Sequence, residues 1–187
     1  MGKKYKLTEE TINVYGRTLH RIESLRDFGN VKKGDKGGFI ENEDNLSQWD
    51  DCWVYDNAKV YNDAVVYDNA MVFKNAMVYG NACVFGDAKV CGDARVYGNA
   101  EVFGNVHIKG DADISSISDY IFFKNWWSSG RCFTWTRSNN MWSVGCFYGT
   151  GEELIAKAYK DSEISGREYK RVVKYVETTI INDGKDQ

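Results

Sequence analysis

From Val54 to Asp113 the chain reads VYDNAK VYNDAV VYDNAM VFKNAM VYGNAC VFGDAK VCGDAR VYGNAE VFGNVH IKGDAD, ten hexads without a gap. Position one is Val or Ile throughout, from Val54 to Ile108. Position five is Ala in nine hexads and Val106 in one. Position four is always Asn or Asp, and position three is Gly from Gly80 onward. A helix of 3.6 residues per turn would rotate these valines off any single face. Plain strand alternation would make position three as apolar as position one. A period of six instead fits a solenoid in which each hexad makes a short strand and a corner. Val points inward, Ala fits the narrowing corner, and Gly, Asn and Asp accept its unusual dihedrals.

A degenerate eleventh hexad, QWDDCW, precedes the run from Gln48 to Trp53. Three hexads close a triangular coil of eighteen residues, so eleven make between three and four coils. Coils stacked as parallel strands, about 4.8 Å apart, give a prism roughly 18 Å high. The chain has 187 residues and no proline, where average usage predicts roughly nine. Stacked coils explain this, because each coil's N–H groups are wanted by the next ladder.

The hexads resemble the hexapeptide-repeat left-handed parallel β-helix, the fold of many acyltransferases. The left hand rests on that resemblance, since general crossover rules favour the right hand. Acyltransferase hexads prefer a small or acidic residue at position two, and here that position is mostly aromatic. Stacking by eighteen gives three outward columns: Trp49, Tyr67, Phe85, Phe103; Tyr61, Tyr79, Tyr97; and Tyr55, Phe73, Cys91, Lys109. Beside the first run Trp53, Met71, Lys89 and His107. Aromatic ladders of this kind are too apolar for a fully solvated monomer. The sequence predicts that Trp49, Trp53, Tyr67, Met71, Phe85 and Phe103 form a subunit interface. The resemblance implies a homotrimer with parallel axes.

The flanks differ from the prism. Residues 48–113 hold 5 basic and 10 acidic side chains, whereas residues 1–47 hold 9 and 8, and residues 114–187 hold 10 and 9. Residues 1–47 are expected to form a β cap over the open end of the solenoid, with strands at Tyr5–Leu7, Ile12–Val14 and Thr18–Ile22, a turn at Tyr15-Gly16, and Phe39-Ile40 entering the first coil. The β-helix is assigned to residues 48–115. Residues 116–187 read as a small α+β module. Its strands are expected at Tyr120–Phe123, Cys132–Thr136 and Trp142–Phe147, and its helices at Gly151–Tyr159 and Arg167–Thr179. The fold class is therefore mainly β.

The front end YKLTEETINVYGRTLHRIESLRDFG…KKGDKGGFIE, the VYGNA-type hexads and the segments GR…FTWTR…WSVGCFYGTGEELIAK together resemble a group of phage and prophage proteins. The resemblance covers nearly the whole chain. It implies fold and context, with no established activity. The family's C-terminal motifs are matched in part by Ser129-Gly130-Arg131 and Val144-Gly145-Cys146-Phe147.

Composition narrows the function. A net charge of −3 and a pI near 5.5 disfavour a nucleic-acid partner. No apolar run approaches the roughly 20 residues of a membrane span. MGKKYKLTEE lacks the apolar core of an export signal. Five cysteines without a C-x-x-C point to free thiols in a reducing bacterial cytoplasm. Acyl transfer needs a histidine base, and the chain holds only His20 and His107. His107 lies outward over Lys89 with no carboxylate in its own column. A shared three-histidine zinc site is equally ill-supplied, and Cys146 has no histidine near it in sequence. Gly149-Thr150-Gly151 before a helix could hold an anion, but Thr150 as N-cap with Glu153 completing a capping box is simpler. No cofactor and no metal are expected. What remains is binding. Trp126, Trp127, Trp135 and Trp142 could stack on a planar ligand, with Arg131 and Arg137 meeting its phosphate or carboxylate; the simpler reading of any one of the tryptophans is core of the module or its dock onto the prism. A phage oligomer so equipped would sequester a nucleotide-type immune signal of the host. The alternatives are a scaffold or inhibitor that docks on a host protein through the C-terminal module, and a hexapeptide acyltransferase.

Overall fold

The computed structural model describes residues 2–127 and 130–180, with backbone alone at residues 179 and 180. Ser129, of the Ser-Gly-Arg motif, lies outside the described residues. The chain divides into two compact units, Met1–Asp119 and Tyr120–Gln187.

In the first unit, β1 (Tyr5–Val14) and β2 (Arg17–Ser24) form an antiparallel hairpin. Tyr15 (φ 50°) and Gly16 (φ 84°) make its two-residue turn, where two positive φ values match the twist of the flanking strands. The two segments expected as separate strands are the ends of β1, with an irregularity between Leu7 and Thr11. β3 (Lys36–Ile40) lies antiparallel to β2. Eleven short strands follow: β4 (Trp53–Val54), β5 (Lys59–Val60), β6 (Val65–Val66), β7 (Met71–Lys74), β8 (Met77–Val78), β9 (Cys83–Val84), β10 (Lys89–Gly92), β11 (Arg95–Val96), β12 (Glu101–Val102), β13 (His107–Ile108) and β14 (Asp113–Ile114). They stack as parallel columns in the orders β4-β7-β10-β13, β6-β9-β12 and β5-β8-β11-β14. The result is a β-solenoid of about four turns.

β3 pairs parallel with β5, so the N-terminal hairpin and one solenoid column are a single sheet. The cap is thus continuous with the prism. Only glycine permits this junction, because a Cβ at Gly38 would stand 2.5 Å from the Ala58 carbonyl oxygen.

From Val54 to Ile114 the inward side chains at positions one and five expose 1% or less. Burying each valine fully is worth about 1.5–3 kcal/mol. Position three carries the positive φ of every corner, at Asp56, Asn62, Asp68 and Lys74 and then at Gly80 through Gly110. Position four has a different task from the one expected. Its amides bond upward, Asn69 to Asp87 at 3.2 Å, Asn75 to Asp93 at 3.0 Å and Asn81 to Asn99 at 2.9 Å.

The stretch QWDDCW is not a plain hexad. Leu46 bridges Val66 and Phe39 pairs with Lys59, both twenty residues apart, where later coils step by eighteen. Eight residues therefore separate inward Leu46 from inward Val54. This irregular stretch is tied down from the cap. Lys4, wholly buried, donates from Nζ to the carbonyls of Trp49, Asp50 and Cys52 at 3.0, 3.3 and 3.0 Å. The Tyr5 hydroxyl donates to the Leu46 carbonyl at 2.6 Å. Burial lowers the Lys4 pKa, opposed by Cys52, whose Sγ lies 3.2 Å away.

The second unit is an antiparallel sheet of β15 (Tyr120–Lys124), β16 (Cys132–Thr136), β17 (Met141–Val144) and β18 (Phe147–Gly149), in that order, followed by α1 (Gly151–Asp161) and α2 (Glu163–Tyr175). The third expected strand is two strands, split by a turn at Gly145 (φ 58°). Ser162 caps α2, so this helix starts four residues before Arg167. A Cβ at Gly166 would come within 2.3 Å of the Tyr159 ring, so glycine lets the two helices approach.

Replacing Lys4 with Met should cost about 2–4 kcal/mol in urea unfolding, because three carbonyls, that of Cys52 buried and those of Trp49 and Asp50 partly so, lose their donor. Replacing Lys3, whose ammonium pairs with Glu43 at the surface, should change the same curve little.

Candidate functional site

The aromatic columns have unequal fates. Tyr67 stacks on Phe85 at 4.9 Å with 4° between planes, and Phe85 on Phe103 at 5.4 Å and 17°. Tyr67 and Phe85 are half-buried, as is Met71 beside them. Phe103 is 39% and Trp49 61% exposed. Trp49 makes no ring contact among the described residues, since the irregular first coil displaces it from the column. Trp53 is a correction. It is 1% exposed, covered edge-on by Tyr5 at 6.0 Å and Phe28 at 5.3 Å. The cap has taken the surface that Trp53 was expected to offer another subunit.

The four C-terminal tryptophans also separate. Trp135 and Trp142 pair across β16 and β17 and expose 1% and 0%. They belong to the core with Phe133, Leu154, Tyr169 and Val173, so no ligand can stack on them. Strand alternation placed them on the inner face. Trp127 is half-buried against Phe133 at 6.0 Å and Tyr169 at 5.9 Å. Trp126 is 81% exposed and stands edge-on to Trp127 at 5.0 Å.

Trp126 and Trp127 line a groove of ≈ 500 Å³ with Ile121 and Phe123 of β15 and Arg171, Val172 and Tyr175 of α2. Its walls are almost wholly apolar. Arg171 Nη1 holds Glu168 Oε1 at 2.7 Å, one helical turn away. Arg131 and Arg137, expected at the ligand, line no part of this groove. Arg137 is exposed beyond β16, and Arg131 bonds the Tyr169 hydroxyl. The guanidinium at the groove is Arg171. Its signal in the sequence is the spacing of Glu168, Arg171, Val172 and Tyr175, which share one side of a helix.

The candidate catalytic groups are poorly placed. His107 is half-buried, and its pKa is lowered to about 4 by burial and then by Lys109 and Lys89. A neutral imidazole so acidic is a weak base for deprotonating an acceptor. His20 Nδ1 lies 3.1 Å from the Thr8 carbonyl. Burial raises the thiol pKa of Cys52, Cys83 and Cys91. No three His, Cys, Asp or Glu side chains among the described residues are grouped to hold a metal. At the start of α1, Thr150 and Glu153 form a reciprocal capping box, with Thr150 N–H donating to Glu153 at 2.9 Å. That carboxylate already occupies the N-terminus offered to an anion. Among the described residues no helix is long and apolar enough to cross a membrane.

His107 carries a stability signature. Its folded pKa lies below the unfolded 6.5, so its contribution is complete above pH 6.5 and is lost as pH falls toward 4. Discounting for partial exposure, the loss is about 1–2 kcal/mol. In acid titrations of thermal stability, His107→Gln should flatten that part of the acid limb.

Searched against protein-family models and against curated proteins, the chain matches none.

Proposed function

We propose that this chain is a left-handed hexapeptide β-helix of phage type, assembled as a homotrimer in the host cytoplasm, that acts by binding and not by catalysis. Its ligand is a planar, nucleotide-type small molecule, and holding it withdraws a signal from the host. The observation that supports this reading is the groove beneath Trp126. An indole left 81% exposed beside a second tryptophan and Tyr175, over ≈ 500 Å³ of apolar space, suits a flat ring better than it suits water. In this reading the base lies against Trp126, and Arg171 turns from Glu168 to the phosphate. Acyl transfer has no comparable support, since His107 is neutral and weakly basic.

The nearly apolar lining favours a second reading, in which an apolar side chain of a host protein docks in the same groove. Oligomerisation is supported by the half-open column of Tyr67, Phe85 and Phe103, which resembles the aromatic centre of an interface.

Calorimetry with a panel of cyclic nucleotides should give a binding heat. Trp126→Ala should weaken it by about tenfold to a hundredfold, the worth of one base stack. No heat across the panel, with a host protein retained by the wild type and lost with Trp126→Ala, would transfer the groove to the second reading. Native mass spectrometry should show a trimer, and Phe85→Asp should reduce it to monomers that still fold.

A further inference from the structure

The first unit has a cleft of its own, of ≈ 370 Å³, between the tip of the β1–β2 hairpin and the solenoid wall. Tyr15 and Arg17 line it from the hairpin, and Tyr61, Asn62, Tyr79 and Arg95 from the wall. The tyrosine faces are already in use. Tyr61 stacks on Tyr79 at 5.1 Å and 4°, and Tyr79 on Tyr97 at 5.2 Å and 7°. A ligand here meets ring edges and hydroxyls, so a flat base finds no slot. Burial pushes the Tyr61 hydroxyl up to about 12 and raises Tyr79, with Arg95 and, for Tyr61, Arg17 within electrostatic reach. Both phenols therefore keep their protons as donors.

One side chain at this cleft, that of Asn62, is not explained by the fold. Arg17 is held by Glu41 at 2.7 Å, and the other Glu41 oxygen accepts the Asn62 N–H at 2.8 Å. Arg95 is exposed, with Asp113 next above it in the column. Asn62 occupies a corner whose successors in the same column are Gly80 and Gly98, all with positive φ. At neighbouring corners Asp56 accepts the Lys74 N–H at 2.9 Å and Asp68 accepts the Gly86 N–H at 3.1 Å. The Asn62 Oδ1 has no hydrogen-bond partner among the described residues. Its side chain thus does no work for the coil above, although glycine would serve the backbone there.

We propose that this cleft binds a hydroxylated, non-aromatic ring carrying one anionic group, that is, a sugar phosphate or a sugar acid. The Arg95 guanidinium takes the oxyanion. The Tyr61 and Tyr79 hydroxyls and the Asn62 amide take ring hydroxyls, and Met77 supplies an apolar contact. The site shares no lining residue with the tryptophan groove.

The test is calorimetry of the full chain with glucose 6-phosphate, glucuronate, glucose and inorganic phosphate. One or both charged hexoses should bind, and glucose and phosphate should bind at least about tenfold more weakly. The tighter of the two charged hexoses identifies the anion. Arg95→Gln and Asn62→Gly should each weaken binding about tenfold with the melting temperature held, since Asn62→Gly only extends the glycine column. Trp126→Ala should leave this binding unchanged. Equal affinity for glucose, phosphate tight by itself, binding undiminished in Arg95→Gln and in Asn62→Gly, or no heat with any probe at millimolar concentration would each overturn the proposal.

Discussion

The structure depends on one vertical hydrogen-bond ladder. The N–H of Trp53 reaches the Ala70 carbonyl, Tyr55 reaches Val72 and Lys59 reaches Ala76, and the same step repeats up the prism. No hexad is stable by itself, because two strand residues bury too little and leave too many backbone groups unanswered. Stacking answers both at once. It also dictates the corners, since the chain can turn at each hexad only with a residue in the left-handed region. Where coils are most closely superposed, even that residue must be glycine: a Cβ at Gly92 would meet the Gly110 carbonyl oxygen at 2.6 Å.

A ladder has ends, and the lower one is where regularity fails. There the first coil carries two extra residues. Lys4 supplies one cation to three carbonyls of that stretch, those of Trp49, Asp50 and Cys52, and the hairpin extends the sheet sideways from β3. The same covering buries Trp53 and leaves the Tyr15 tip beside the tyrosine column. Capping the prism and shaping a cleft on its wall are consequences of one chain path.

The aromatics divide by what covers them. Trp135 and Trp142 lie beneath two helices, Trp53 lies beneath the cap, and Tyr67 and Phe85 cover one another while leaving an edge outward. Trp126 has no such cover among the described residues. The candidate sites arise at these boundaries, where a column or a core runs out of chain to bury it.

The sequence by itself determined the solenoid, because a six-residue period constrains every inward side chain at once and no other backbone satisfies it. It also determined the capping box at Thr150 and Glu153, which is local. Tertiary structure alone decided which tryptophans stay accessible. Trp126 and Trp142 read alike in one dimension, but strand alternation and helix docking bury the second and not the first. It decided, too, that the guanidinium at the groove is Arg171 and that Arg17 meets Arg95 at one cleft. Those residues lie far apart in the chain, and only the stacking of coils and the fold of the hairpin bring them together.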